Sequence, residues 1–167
     1  LRASAGHGFR QPTYVDLYYS DPGTIGNPTL KPESSWSYEG GADWKPANGR
    51  LTLTAAGFYL QQKNVIDYIK QLPITSTEKW QAINIPSLNL TGAEATARIR
   101  LPANQQLQLS YTAVQAGSPP PGLVSEYAYN YAAQNAIFAW TAPLPARLRQ
   151  LTASTQVHVV QRTGQTA

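Results

Sequence analysis

The sequence has 167 residues and carries 13 Lys and Arg against 9 Asp and Glu; its net charge of +4 is spread along the chain, forms no basic patch and gives no reason to expect a nucleic-acid partner. Charged residues are 13% of the chain, below the roughly 25% usual in soluble domains, while Tyr is 10 and Trp 4, no apolar run reaches the length of a transmembrane helix, and mean hydropathy is -0.35. Cys and Met are absent and the two histidines, His7 and His158, lie far apart, which leaves no disulfide, thiolate nucleophile or recognisable metal-ligand spacing, so catalytic residues, cofactors and metals are not expected.

In chain order, residues 1–10 open as a strand. Between residues 36 and 44, Trp36, Tyr38, Gly40, Ala42 and Trp44 alternate with Ser37, Glu39, Gly41 and Asp43, the period of two that places alternate side chains on opposite faces. Residues 45–50 contain Pro46 and Asn48-Gly49 and read as a tight turn, after which 51 to about 67 form an apolar, Thr-rich strand. The pattern dissolves around Pro73 from 68 to about 84, which reads as a longer loop, and returns most clearly in residues 92–101. There Ala93, Ala95, Ala97, Ile99 and Leu101 share one face and Glu94, Thr96, Arg98 and Arg100 the other. A helix would scatter the apolar set, so the segment is a strand.

Residues 102–105 give a second short turn, and Leu107, Leu109, Tyr111 and Ala113 alternate with Gln108, Ser110 and Thr112. A long connection follows, with Pro119-Pro120-Pro121 acting as a stiff spacer. Then Ala136, Phe138, Trp140 and Ala142 alternate with Ile137, Ala139 and Thr141, residues 143–147 turn, and a last strand runs from about 149 to 161. Seven strands thus alternate between tight turns and long loops, which predicts an all-β fold: an antiparallel transmembrane β-barrel segment with short periplasmic turns at Pro46, Pro102 and Pro143 and long external loops. Strands of about nine to eleven residues, tilted, are long enough to cross a bilayer. Trp44 and Trp140 would mark one interface and Trp36, Tyr111 and Tyr131 the other; the alternative is that these rings pack the core of a soluble sandwich.

The residues Gly8-Phe9-Arg10-Gln11-Pro12, Leu17-Tyr18, then Gly26-Asn27-Pro28-Thr29-Leu30-Lys31-Pro32-Glu33 and Tyr38-Glu39-Gly40-Gly41 resemble the barrel of TonB-dependent outer-membrane receptors. Gly57-Phe58-Tyr59, Val65-Ile66-Asp67-Tyr68 and Asn84 followed by Gly92-Ala93-Glu94 are similar to the same family, and the resemblance covers nearly the whole chain. It implies a 22-stranded barrel plugged by an N-terminal domain in the outer membrane of a Gram-negative bacterium, so that 1–167 is expected to be a fragment supplying about seven strands, without plug or coupling box. It further implies active import of a metal chelate such as a siderophore, or of a cobalamin-like ligand, with the TonB energy-coupling complex, outer-membrane lipid and a small-molecule chelate as partners. The order of the motifs looks rather like the cobalamin receptors, and siderophore receptors are also similar. A passive porin or adhesin barrel would share the alternation, and a soluble all-β binding module would use the loop aromatics as its site.

On the barrel reading Glu39, Asp43, Glu94, Arg98 and Arg100 face the lumen, where they would form cross-strand pairs or contact the plug, because Arg on the lipid face costs roughly 2–4 kcal/mol near the midplane. Tyr18, Tyr19, Trp80, Tyr127 and Tyr129 are the loop candidates for ligand contact, since flat aromatic rings offer large area at low entropic cost. Residues 26–33, with Pro28 and Pro32, are expected to shape the base of an outer loop. Asn89-Leu90-Thr91 is an accidental sequon, and Gly6-His7-Gly8 lacks the Lys-Ser/Thr pair of a phosphate loop.

Overall fold

The computed structural model describes residues 1–47, 49–75, 77–117, 119–144 and 151–163. Its elements are β1 (Arg2–Arg10), α1 (Tyr14–Tyr18), β2 (Thr24–Ile25), β3 (Glu33–Trp44), β4 (Leu51–Gln71), β5 (Trp80–Leu101), a 3-10 turn at Pro102–Asn104, β6 (Gln105–Ala116), β7 (Leu123–Ser125), β8 (Ala132–Pro143) and β9 (Thr152–Arg162). Seven strands lie side by side in the order β1-β3-β4-β5-β6-β8-β9; the two short ones attach at the margin, β2 to β5 and β7 to β4. Every pairing along the main path is antiparallel. The expected open wall of neighbouring hairpins is therefore the observed architecture.

Register turns the alternation of single strands into two continuous faces. Ala42, Ala55, Ala95, Tyr111, Ala136 and Val159 fall opposite one another on successive strands, as do Trp44, Leu53, Ala97, Leu109, Phe138 and Val157. Leu53, Leu109, Phe138, Val157 and Val159 are all exposed on this apolar face. The other face carries Arg2, Glu39, Asp43, Thr54, Glu94, Thr96, Arg98, Arg100, Gln108 and Ser110. Gly41 and Gly92 belong to this polar side. A Cβ on Gly41 would stand 2.8 Å from Ala55 O and 3.1 Å from the Arg2 guanidinium carbon, so the glycine lets Arg2 lie across the strand. At Gly92 it would stand 2.2 Å from the Phe58 ring, which occupies that space.

The first two short turns lie where the sequence places them. Gly49, at φ 62°, donates its N–H to Pro46 O, and Ala103 and Asn104 take φ of 58° and 56° to reverse the chain between β5 and β6. Of the third turn, 145–147 fall outside the described residues, as does Arg149, the expected start of the last strand; Leu144 N–H bonds Leu151 O across the gap. Trp44 and Trp140 both stand beside short turns, and His7, Trp36, Tyr38 and Tyr59 form a run of neighbouring rings nearer the long loops. Tyr111 sits opposite Ala95 and Ala136, with its hydroxyl 3.1 Å from Gln134 Oε1.

The β4–β5 connection differs from expectation. Pairing continues to Ile69–Gln81, so the expected 68–84 loop shrinks to 72–79 and a tall hairpin rises from the wall. Alternation is lost there because both faces are covered: Val65, Ile66, Asp67 and Ile69 are all buried, and a strand buried on both sides shows no polar face. Asn64, at φ 54°, stands opposite Pro86 where the paired register is interrupted. Two clusters flank the hairpin: Val65, Ile85, Leu88 and Tyr129, and Leu30, Ile66 and Ala82. The adjacent residues Val65 and Ile66 point to opposite faces, so the second cluster seats the segment 11–32 on one side of the hairpin while residues 123–129 cover the other.

The two faces predict unequal tolerance to charge. Ala97→Arg places a guanidinium on the apolar face, whereas Thr96→Arg places it beside Ser110 on the polar one. In the full-length barrel, Ala97→Arg is expected to cost roughly 2–4 kcal/mol of membrane stability and Thr96→Arg under about 1 kcal/mol, measured by urea unfolding in lipid vesicles.

Candidate functional site at the long-loop rim

The rim begins with Thr13, whose side chain caps α1 while Asp16 reaches back to the Thr13 N–H, a reciprocal box that starts a helix of only five residues. The helix was not legible as a periodic segment because one turn and a half has no period to show. Its Asp16 carboxylate accepts from Thr13 N–H at 2.9 Å, Thr13 Oγ1 at 2.8 Å, Arg10 at 3.3 Å and the Tyr68 hydroxyl at 3.3 Å. Burial pushes the Asp16 carboxyl up, but the Thr13 bonds and Arg10 outweigh it and hold the group below the usual carboxylate range. Glu33 likewise receives Arg10 at 2.6 and 3.0 Å and the Ile66 N–H at 2.6 Å. Its burial is again overcome by Arg10 and the Ile66 N–H, and its carboxyl is lowered.

The 26–33 segment is tied onto the tall hairpin. Asn27 Nδ2 bonds Ala82 O at 3.2 Å, Leu30 enters the core, and Asn84 holds the Lys31 peptide through both its N–H and its C=O. Asn84 also donates to Asn64 O at 2.8 Å. Thus Arg10, Leu30, Glu33 and Asn84, distant in sequence, form one clamp that docks the first loop onto the tall hairpin.

The second hub is Asp67, 1% exposed. Its carboxylate accepts from Tyr68 N–H at 2.8 Å, Tyr127 N–H at 3.1 Å, Ala128 N–H at 3.1 Å and the Ser125 hydroxyl. Sequence reading missed Asp16, Asp67 and Tyr68 as site-building residues; for Asp67 a signal existed, a lone carboxylate inside the run Val65-Ile66-Asp67-Tyr68-Ile69.

The expected contact residues fall into different settings. Tyr18 and Tyr19 are exposed, with Tyr14 beside Tyr18 at 5.3 Å between ring centroids. Tyr127 is 64% exposed and meets Tyr68 edge-on at 6.4 Å. Trp80 lies not on a loop but at the start of β5, paired with Thr24, and Lys70 Nζ stands 4.9 Å from its ring centroid. Tyr129 is 6% exposed and packs with Val65, Ile85 and Leu88, because the loop folds down onto the hairpin instead of projecting from it.

Farther down the polar face, Arg2 reaches Glu39 at 3.4 Å and Asp43 at 3.3 Å, and Thr54 donates to Asp43 at 2.8 Å. Arg98 Nε donates to Gln108 at 3.1 Å, and Glu94 and Arg100 lie exposed on the same face. These six charges share one side of the wall but form no compact centre. No group of three or more His, Cys, Asp or Glu side chains that could hold a metal occurs among the described residues, and no helix there is long and apolar enough to cross a membrane.

Residues 1–162 match the family described as TonB dependent receptor-like, beta-barrel. The chain is 32% identical over 97 residues to a vitamin B12 transporter, BtuB, of Photobacterium profundum, covering 58% of this chain and 15% of that protein. It is 33% identical over 95 residues to the vitamin B12 transporter of Vibrio vulnificus, covering 57% and 14%. Among solved structures, the copper transporter OprC aligns with 86% of this chain and 21% of its own at a TM-score of 0.63 and 19% identity. The pyoverdine receptor FpvA of Pseudomonas aeruginosa aligns with 91% of this chain and 21% of its own, at 0.57 and 22%. The chain therefore spans between about a seventh and a fifth of the length of these proteins.

The lowered carboxyls set a pH dependence. A group whose folded pKa lies below its unfolded value contributes stability that is complete above the unfolded value, near pH 4 for Asp and Glu, and lost as pH falls through the folded one. Attachment of segment 11–32 is accordingly expected to be constant from pH 7 to about 5 and to weaken below about 4, with Asp16→Asn removing much of the acid sensitivity; protease cleavage within 11–32 as a function of pH measures it.

Proposed function

The chain belongs to the TonB-dependent receptor β-barrel family, whose members are receptors and transporters of the Gram-negative outer membrane, and from this we propose that the protein it is part of imports a scarce metal chelate or cobalamin-like molecule using energy delivered by TonB. The observation that carries the proposal is the rim itself: exposed tyrosines on two loops, held by buried carboxylates to a hairpin that rises from a membrane wall. Tyr18, Tyr19 and Tyr127 would contact the ligand, with Trp80 beside Lys70 as a further aromatic edge, while Tyr129 anchors its loop from beneath. A rigid aromatic surface loses little conformational entropy on binding.

In this proposal the polar face lines the lumen. Glu39, Asp43, Glu94, Arg98 and Arg100 would stand against a plug domain that the rest of the protein supplies, and the apolar face would meet lipid. The work of the protein is binding and gated passage, and its wall charges serve as docking groups. The 32% identity to a vitamin B12 transporter makes cyanocobalamin the first ligand to try, with ferric siderophores second.

The test is uptake of labelled cyanocobalamin and of ferric siderophores by cells that express the full-length receptor and lack their own. Saturable uptake of one of them that stops when TonB is deleted is the expected result; equal uptake without TonB would identify a passive barrel instead. Tyr127→Ala and Tyr18→Ala are each expected to weaken binding by about tenfold while leaving the barrel assembled.

A further inference from the structure

Among the exposed rings of the rim, Tyr127 stands on a segment that the molecule restrains from several sides. β7 pairs with the edge of β4 through Ile69–Ser125, Lys70–Val124 and Gln71–Leu123, and the Glu126 N–H then bonds Tyr68 O at 2.9 Å. Past Tyr127 the chain descends again, with Tyr129 in the core. Between these two anchors the Asn130 N–H bonds Tyr127 O at 3.1 Å and Ala128 packs against the cluster around Val65, but the side chain that bonds the most of this stretch is Asp67. We infer that Asp67 is a positioning residue: its buried carboxylate gathers residues 125–128 and so sets where the Tyr127 ring stands.

Three observations support this. First, Asp67 is nearly inaccessible amid Val65, Ile66 and Ile69, where an apolar residue would fill the space without the cost of desolvating a carboxylate. Second, the carboxylate makes no ion pair among the described residues; its partners are the Tyr68 N–H and three donors from a segment 58 to 61 residues away. The consecutive N–H groups of Tyr127 and Ala128 converge on it as a small anion-binding concavity. The Ser125 hydroxyl donates to the same carboxylate and accepts the Tyr129 N–H at 3.3 Å, which closes the turn. Third, the product of this arrangement is a ring 64% exposed yet fixed at its own backbone, backed edge-on by Tyr68, whose hydroxyl reaches Asp16 of the other loop. Asp67 and Asp16 thus brace the two tyrosine-bearing loops against neighbouring residues of one strand. The consequence for ligand binding rests on the assignment of Tyr127 to the ligand surface; the positioning itself does not.

The experiment uses the full-length receptor in detergent micelles with cyanocobalamin as the probe. Asp67→Asn replaces one acceptor oxygen by NH2 and leaves a donor unpaired. It is expected to speed amide hydrogen exchange at residues 126–128 by at least about tenfold while exchange across 93–113 stays as in the parent. Cyanocobalamin should dissociate about tenfold faster, and in a Tyr127→Ala background Asp67→Asn should change dissociation no further, a result that general loosening of the fold would not give. Unchanged exchange at 127 and 128 in the assembled variant would overturn the inference. Should Asp67→Asn fail to assemble, as read by heat-modifiable mobility on gels, Ser125→Ala is read in the same way. Faster exchange combined with unaltered probe dissociation in both Asp67→Asn and Tyr127→Ala would uphold the positioning role and overturn the ligand assignment of Tyr127.

Discussion

Inside a bilayer no water is available to a backbone N–H or C=O, so each strand must satisfy its polar groups on its neighbours, and the ladder of strand pairs becomes the constraint on which everything else depends. In this chain the ladder runs without a break in path from β1 to β9. Because side chains alternate, one residue of slip in any pair would carry Glu94, Arg98 and Arg100 to the apolar face and Ala95, Ala97 and Ile99 to the polar one. On the proposed reading, in which the apolar face meets lipid, register is held by the cost of burying charge there. Local fittings agree with it: Phe58 lies over Gly92, and Arg2 crosses Gly41 to reach Glu39 and Asp43.

A wall one sheet thick has no interior, and this explains where the molecule builds one. Nearly all its buried side chains sit above the wall, where β4 and β5 extend as a hairpin and two loops close on its opposite faces. Loops carry polar backbone into that small core, and the polar backbone is matched by side chains chosen for the purpose. Glu33, Asn84 and Asp67 each accept or donate several bonds across long sequence separations, and Asp16 accepts one such bond, from the Tyr68 hydroxyl. The rim is therefore more than a set of flexible connections: the same buried groups that make the small core stable decide which tyrosines remain exposed and how they stand.

Much of the wall was legible in advance. The alternating segments around Trp36–Trp44, 92–101 and 107–113 all became strands with the faces that their patterns require. Prolines and glycines marked the short turns for the usual reasons of fixed or positive φ. The rim was much less so. The upper part of β4 and β5 lost its alternation just where it gained a second covered face, and α1 is too short for periodicity to show. Trp80 and Tyr129 belong by composition to the same aromatic, loop-like stretches as Tyr127, yet one begins a strand and the other is buried.

By itself the sequence determined the strands of the wall, their two faces and the alternation of short and long connections, because each depends on periodicity and turn chemistry within a dozen residues; the family was legible only through the resemblance of its motifs. Only the tertiary structure decided which aromatic rings are available at the rim. That choice depends on contacts such as Asp67 with residues 125–128 and Asn84 with Lys31, made between segments more than fifty residues apart, and no local pattern records whether a given face will find a partner to cover it.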